Sequence, residues 1–126
     1  MEVLTKQQLL ERRRPLAFED VPAPEFGENG DGAPVQVRVQ EMHARAREAW
    51  GAFAFEVVEG KKNTARPDFR ARLVLHTAVS DAGERLFADE DLELVATLPG
   101  TLVDRLAAAA IRLNRLNEDA GDLTKN

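Results

Sequence analysis

Chemistry in this chain would have to come from His43, His76, Ser80 and the carboxylates, because the sequence holds no cysteine. Ser80 is the only serine. It stands four residues after His76 and next to Asp81, so the residue types of a nucleophilic triad are present. No glycine-rich elbow surrounds it, and a triad is defined by geometry and roles rather than by closeness in sequence. The simpler reading is a Ser-Asp turn at a helix end. His43 and His76 are far apart and lack any HExxH-like spacing, so each reads as a core or surface histidine, not a metal ligand. The absence of cysteine removes disulfides, thiolate zinc sites and thiol nucleophiles.

Two further tests fail. Aligned as a calcium loop, Asp81 to Leu92 would place Gly83, Arg85 and Leu92 at ligand positions, and none is suitable. The glycine-rich stretch from Gly27 to Gly32 has no lysine followed by serine or threonine, as a phosphate loop requires. Glu90 and Asp91 are paired carboxylates, but no apolar pocket is implied around them, so nothing argues for raised pKa values. The sequence therefore assigns no catalytic residue, cofactor-binding residue or metal ligand. The expectation is a protein that is not an enzyme and needs no cofactor.

Positioning elements follow from composition and period. At 126 residues, 44% hydrophobic and 31% charged, the chain predicts one globular domain over 1–126. No apolar run approaches the roughly 18 residues of a membrane span, so no membrane partner is expected. Met1 leads into a polar segment rather than a signal peptide, and the lack of cysteine fits a reducing cytoplasm. A net charge of −5 argues against nonspecific nucleic-acid binding. The charge is uneven, with basic runs at Arg12-Arg13-Arg14 and from Lys61 to Arg72, and acidic groups gathered around 25–31, 84–93 and 118–122.

The stretch from Phe69 to Val79 is apolar on several faces, which places a buried helix over 69–80 at the centre of the fold. Before it, 1–15 reads as an N-terminal arm or short helix capped by Thr5 and stopped near Pro15. Val35, Val37 and Val39 alternate with Gln36, Arg38 and Gln40, so 16–40 reads as a β-hairpin with a mobile loop over 23–34. From Glu41 the period becomes helical through Met42, Ala46, Trp50, Phe53 and Val57, predicting a helix over 41–58 that ends at Gly60. Pro67-Asp68 offers a start for the central helix. Asp89 is expected to cap a short helix over 89–98, and Thr101 to cap the last one, 102–117. The class is thus mainly α with a small N-terminal β-hairpin, an α+β fold. Its helical core spans 41–117, and 118–126 is a polar tail. Trp50 and Phe53 are expected inside, and the arm and hairpin are the expected subunit contacts.

The order of motifs is similar to that of tail assembly chaperones of long-tailed bacteriophages and prophages. It runs from LLERRRP near the start, through Trp50 and FRARLV at 69–74, to the D-x-x-G-x-R-L-F that begins at Asp81. It continues through Asp89-Glu90-Asp91 to Leu113-Asn114-Arg115-Leu116-Asn117. The resemblance implies a noncatalytic cytoplasmic protein of the infected bacterial cell that binds the tape-measure protein, keeps it soluble and helps recruit tail-tube subunits. It further implies possible self-association and absence from the mature virion. The alternative is a structural neck or tail-tube-associated virion protein. In this family a frameshifted longer product is common, and the Thr124-Lys125-Asn126 end is codon-compatible with an adenine-rich slippery heptamer.

Overall fold

The computed structural model describes residues 1–116, except for the side chains of 61–63. The expected polar tail 118–126, with the 124–126 end considered for frameshifting, lies outside the described residues. Helices and small antiparallel sheets together make an α+β fold.

The chain opens with α1, Lys6–Glu11. Thr5 Oγ1 accepts the Gln8 N–H (3.2 Å) while the Thr5 N–H donates to Gln8 Oε1 (3.0 Å), a reciprocal capping box. β1 (Phe18–Pro22) pairs antiparallel with β2 (Gln36–Gln40), Phe18 opposite Gln40 and Pro22 opposite Gln36. Because successive side chains alternate between faces, Val21, Ala23 and Val39 enter the core from one side. On the other side Arg38 lies 3.9 Å over the Phe18 ring and donates to both Asp20 oxygens at 2.8 and 3.0 Å. The central strand is β2, since β5 (Ala78–Val79) pairs with its other edge through Arg38–Val79 and Val39–Ala78.

After β2 come α2 (Ala44–Ala54), the hairpin β3 (Phe55–Val58) and β4 (Lys61–Ala65), and α3 (Phe69–Thr77). A 3-10 turn at Asp89–Asp91, α4 (Leu92–Ala96) and α5 (Gly100–Asn114) complete the described fold. α3 packs against α2, α4, α5 and β2, and its Leu73, Val74 and Leu75 are fully buried. α5 buries Leu102, Leu106, Ala107, Ala109 and Ala110. The small alanine side chains let its backbone come close to α3 and the sheet.

Four expected helices have different limits. The helix expected over 41–58 ends at Ala54, and Phe55 to Val58 form β3 instead. Phe55 docks edge-on against Trp50 and Phe69, with centroids 5.4 Å from each. Gly60 is the hairpin turn rather than a helix cap, with a φ of +77° that suits a residue without a side chain. The helix expected over 69–80 stops at Thr77, because Ala78 and Val79 are drawn into the sheet against β2. Its start at Phe69 directly follows Pro67-Asp68, as expected. Asp68 sits in the left-handed region (φ 60°) and makes no side-chain cap bond.

The segment expected as a helix over 89–98 divides into the 3-10 turn and α4, and Asp89 does not cap it. Asp91 Oδ2 instead accepts the Ala88 N–H at 2.8 Å. The helix expected over 102–117 begins at Gly100 and ends at Asn114, where Arg115 turns left-handed (φ 53°). Thr101 is inside that helix and donates its hydroxyl to Glu25 Oε2 at 2.7 Å rather than capping.

Candidate functional site

The residues considered for chemistry take separate structural roles. Ser80 Oγ accepts the N–H groups of Ala82 (3.2 Å) and Glu84 (3.3 Å), which closes the turn that returns the chain from β5. His76 is buried on α3 beside the Phe53 ring, with centroids 5.2 Å apart. Its Nε2 comes within 3.0 Å of Asp89 Oδ1, but out of line for a donor, so the nitrogen has no aligned partner. The same Asp89 oxygen accepts from Arg85 at 2.9 Å, and Arg85 Nε donates to the Leu75 carbonyl at 3.0 Å. Arg85 and Asp89 thereby fasten the 85–89 segment across α3.

Burial holds the His76 pKa below the usual imidazole value of 6.5. The nearby Arg85 cation adds to this, and Asp89 opposes it. His43 is elsewhere, at the start of α2, where Nδ1 accepts the Ala46 N–H at 3.1 Å. The two histidines share no site. Among the described residues no group of three His, Asp or Glu side chains could hold a metal ion. No helix among them is long and apolar enough to cross a membrane.

The excursion between β1 and β2 is tied to α5 by a cluster that sequence reasoning missed. Arg105 donates to both oxygens of Glu25 (3.1 Å each) and to the Pro22 carbonyl (2.9 Å), and Thr101 completes the clamp. Donors on three nitrogen and hydroxyl groups favour the ionised acid, and the Glu25 pKa is lowered from 4.5 to about 2. No local signal marks this pair, since Glu25 and Arg105 are 80 residues apart.

These two groups add to acid sensitivity, in the same direction as the Asp20 and Glu41 carboxyls that Arg38 and Arg14 hold low. Below pH 6.5 His76 is protonated in the unfolded chain before it can be in the native state, so proton uptake favours unfolding and stability falls as the pH falls. Glu25 acts in the same direction lower down. Its contribution is complete above 4.5 and is lost as pH falls towards about 2. Denaturation midpoints measured across this range should therefore drop on acidification, and Glu25→Gln should flatten the lower part of the curve. A midpoint that stays level or rises from neutrality to acid would contradict the placement of both groups.

What remains open to partners is apolar surface. α1 buries none of its residues, and Val3, Leu9 and Leu10 are 82%, 60% and 52% exposed. A six-residue helix is marginal by itself in water, so this arm holds its shape through the capping box and its attachment. The attachment is Arg14, which donates to both Glu41 oxygens (2.9 and 3.2 Å), while Glu41 also accepts the Ala17 N–H at 3.1 Å. Elsewhere Phe26, Val57, Leu86 and Leu94 are exposed.

The hairpin edge offers less than its sequence suggests. Bonds from Glu41 N to Ala17 O and from Ala23 N to Val35 O close the ladder at both ends, so odd-numbered residues of β1 face β2. The outer edge presents Phe18, Asp20 and Pro22. Pro22 has no N–H and its carbonyl is taken by Arg105, which leaves a short edge for strand addition.

The fold has a known counterpart. The chain is similar to the solved structure of the bacteriophage HK97 tail assembly chaperone, at a TM-score of 0.53 and 20% sequence identity, over 86% of this chain and 90% of that one. At this identity the likeness is one of fold. No family model matches the chain, and no curated protein does.

Proposed function

We propose that this chain is a phage tail assembly chaperone that binds the tape-measure protein, keeps it soluble and helps recruit tail-tube subunits, without catalysing a reaction. The observation that carries this reading is α1, a capped and tethered helix whose apolar side chains are all left exposed. Its sharing of a fold with a tail assembly chaperone supports the same role. A tape-measure protein is long and largely helical, and its apolar faces would aggregate if left bare. The exposed Leu9 and Leu10 side chains of α1 offer apolar surface that can cover part of such a face. The chain acts in the cytoplasm of the infected cell and leaves before the virion matures.

Coexpression with a tape-measure protein from the same genome tests this. The chaperone should raise the soluble yield of that partner and copurify with it. The double variant Leu9→Glu, Leu10→Glu should lose copurification while changing stability by no more than about 0.5 kcal/mol, as exposed positions do. Equal copurification by the variant would remove α1 from the contact. No effect of the parent protein on its client, or its presence in purified mature particles, would overturn the chaperone reading.

A further inference from the structure

The tip of the excursion between β1 and β2 carries a reactive backbone arrangement that the proposed chaperone role does not use. Asn29 is exposed and is followed by Gly30, the only Asn-Gly pair in the chain. Asn29 Oδ1 accepts the N–H groups of Asp31 (2.9 Å) and Ala33 (3.2 Å). The Asn29 backbone is held as well, its N–H donating to Ala33 O (2.7 Å) and its carbonyl accepting from Gly32 (3.1 Å). The N–H of Gly30 donates to nothing among the described residues, and a Cβ built there would meet nothing within 4 Å.

We propose that Asn29 is a site of spontaneous deamidation that the native fold leaves open, converting at least as fast in the folded chain as in the unfolded one. The Gly30 backbone nitrogen gives its proton to water or hydroxide and attacks Asn29 Cγ. Glycine has no side chain to hinder that approach. As the N–Cγ bond forms, negative charge develops on Oδ1, where the N–H groups of Asp31 and Ala33 are already placed to stabilise it. The Cγ–Nδ2 bond then breaks, and the nitrogen takes a proton from solvent and leaves as ammonia. Water adds to one or the other carbonyl of the cyclic imide, that carbonyl's bond to the Gly30 nitrogen breaks, and the nitrogen takes back a proton. The products are aspartate at position 29 or its β-linked isomer.

These products differ in what they do to the loop. Aspartate keeps the acceptor for Asp31 and Ala33 and adds one negative charge. The β-linked isomer lengthens the main chain by a methylene and withdraws that acceptor, which loosens the bridge between Glu28 and Pro34. The Glu25 clamp on α5 lies at the base of the same excursion. The change thus alters the loop next to exposed Phe26 without touching the buried core.

The test is peptide mapping by mass after parallel incubation of the whole protein, native and unfolded in guanidinium, at neutral and mildly alkaline pH. Asn29 should gain the mass of an amide-to-acid conversion at an equal or higher rate in the native sample. Asn114, whose side chain is buried and bonded at both ends, should stay unconverted there. Ala33→Pro removes one of the two donors to Oδ1 and should slow the native reaction several-fold relative to its own unfolded rate. Conversion of Asn29 several-fold slower in the native parent protein than in guanidinium overturns the proposal. So does an unchanged native-to-unfolded ratio in Ala33→Pro with its thermal melt retained. Should that variant fail to fold, the comparison on the parent protein decides alone.

Discussion

Replacing Leu73 by alanine is expected to destabilise the native state by about 2–5 kcal/mol, the range for a buried leucine whose cavity collapses only in part. Leu73 is fully buried on α3, and α3 is the element that α2, α4, α5 and β2 all pack against. Little of the surrounding structure is free to move inward, because each neighbour is also held by the others. Chemical denaturation should therefore show a lower midpoint with an unchanged slope, since the surface exposed on unfolding is nearly the same. Leu94→Ala is the control. That leucine is 56% exposed, so its loss should change stability by no more than about 0.5 kcal/mol. Equal effects at the two positions would mean that α3 does not occupy the centre of the core.

Asn114→Ala is expected to cost about 1–3 kcal/mol, although it removes only a small polar side chain. Its Oδ1 accepts the Met42 N–H at 2.7 Å and its Nδ2 donates to the Ala110 carbonyl at 2.9 Å, both bonds buried. The Asn114 carbonyl also accepts from Arg47 at 3.2 Å, so the end of α5 is fastened to the start of α2 twice. Alanine would leave the Met42 N–H desolvated and without an acceptor, and that loss dominates over the missing bond itself. Faster hydrogen exchange at Met42, together with a lower denaturation midpoint, is the paired signature to look for. A variant as stable as the parent, with Met42 still protected, would mean that another acceptor satisfies this amide.

Much of the candidate site was hidden from sequence reading for one reason, sequence separation. Asn114 reads as one polar residue in a helix of leucines and alanines, and nothing near it indicates an amide 72 residues earlier. The Glu25–Arg105 clamp is hidden in the same way. His76, Ser80 and Asp81 could be judged more directly, since the missing elbow spoke against a nucleophile. Yet their actual roles, a buried ring beside Phe53 and a turn hydroxyl, came only with the fold. The apolar arm was visible as Val3, Leu4, Leu9 and Leu10 in a poor stripe. That α1 buries none of its residues depends on where the rest of the chain goes.

By itself the sequence determined the α+β class, because hydrophobic period is a local property. The alternation of Val35, Val37 and Val39 and the helical spacing from Met42 can be read within a few turns or residues. Tertiary structure decided where elements stop. Phe53, Phe55 and Val57 satisfy both periods; Phe53 stayed in α2, while Phe55 and Val57 went to strand when β4 supplied a partner and Phe55 found the rings of Trp50 and Phe69. Ala78 and Val79 left the helix because β2 had an unpaired edge beside them. Where local preference is nearly balanced, a distant partner's hydrogen bonds and buried area set the outcome, and neither is written within the segment itself.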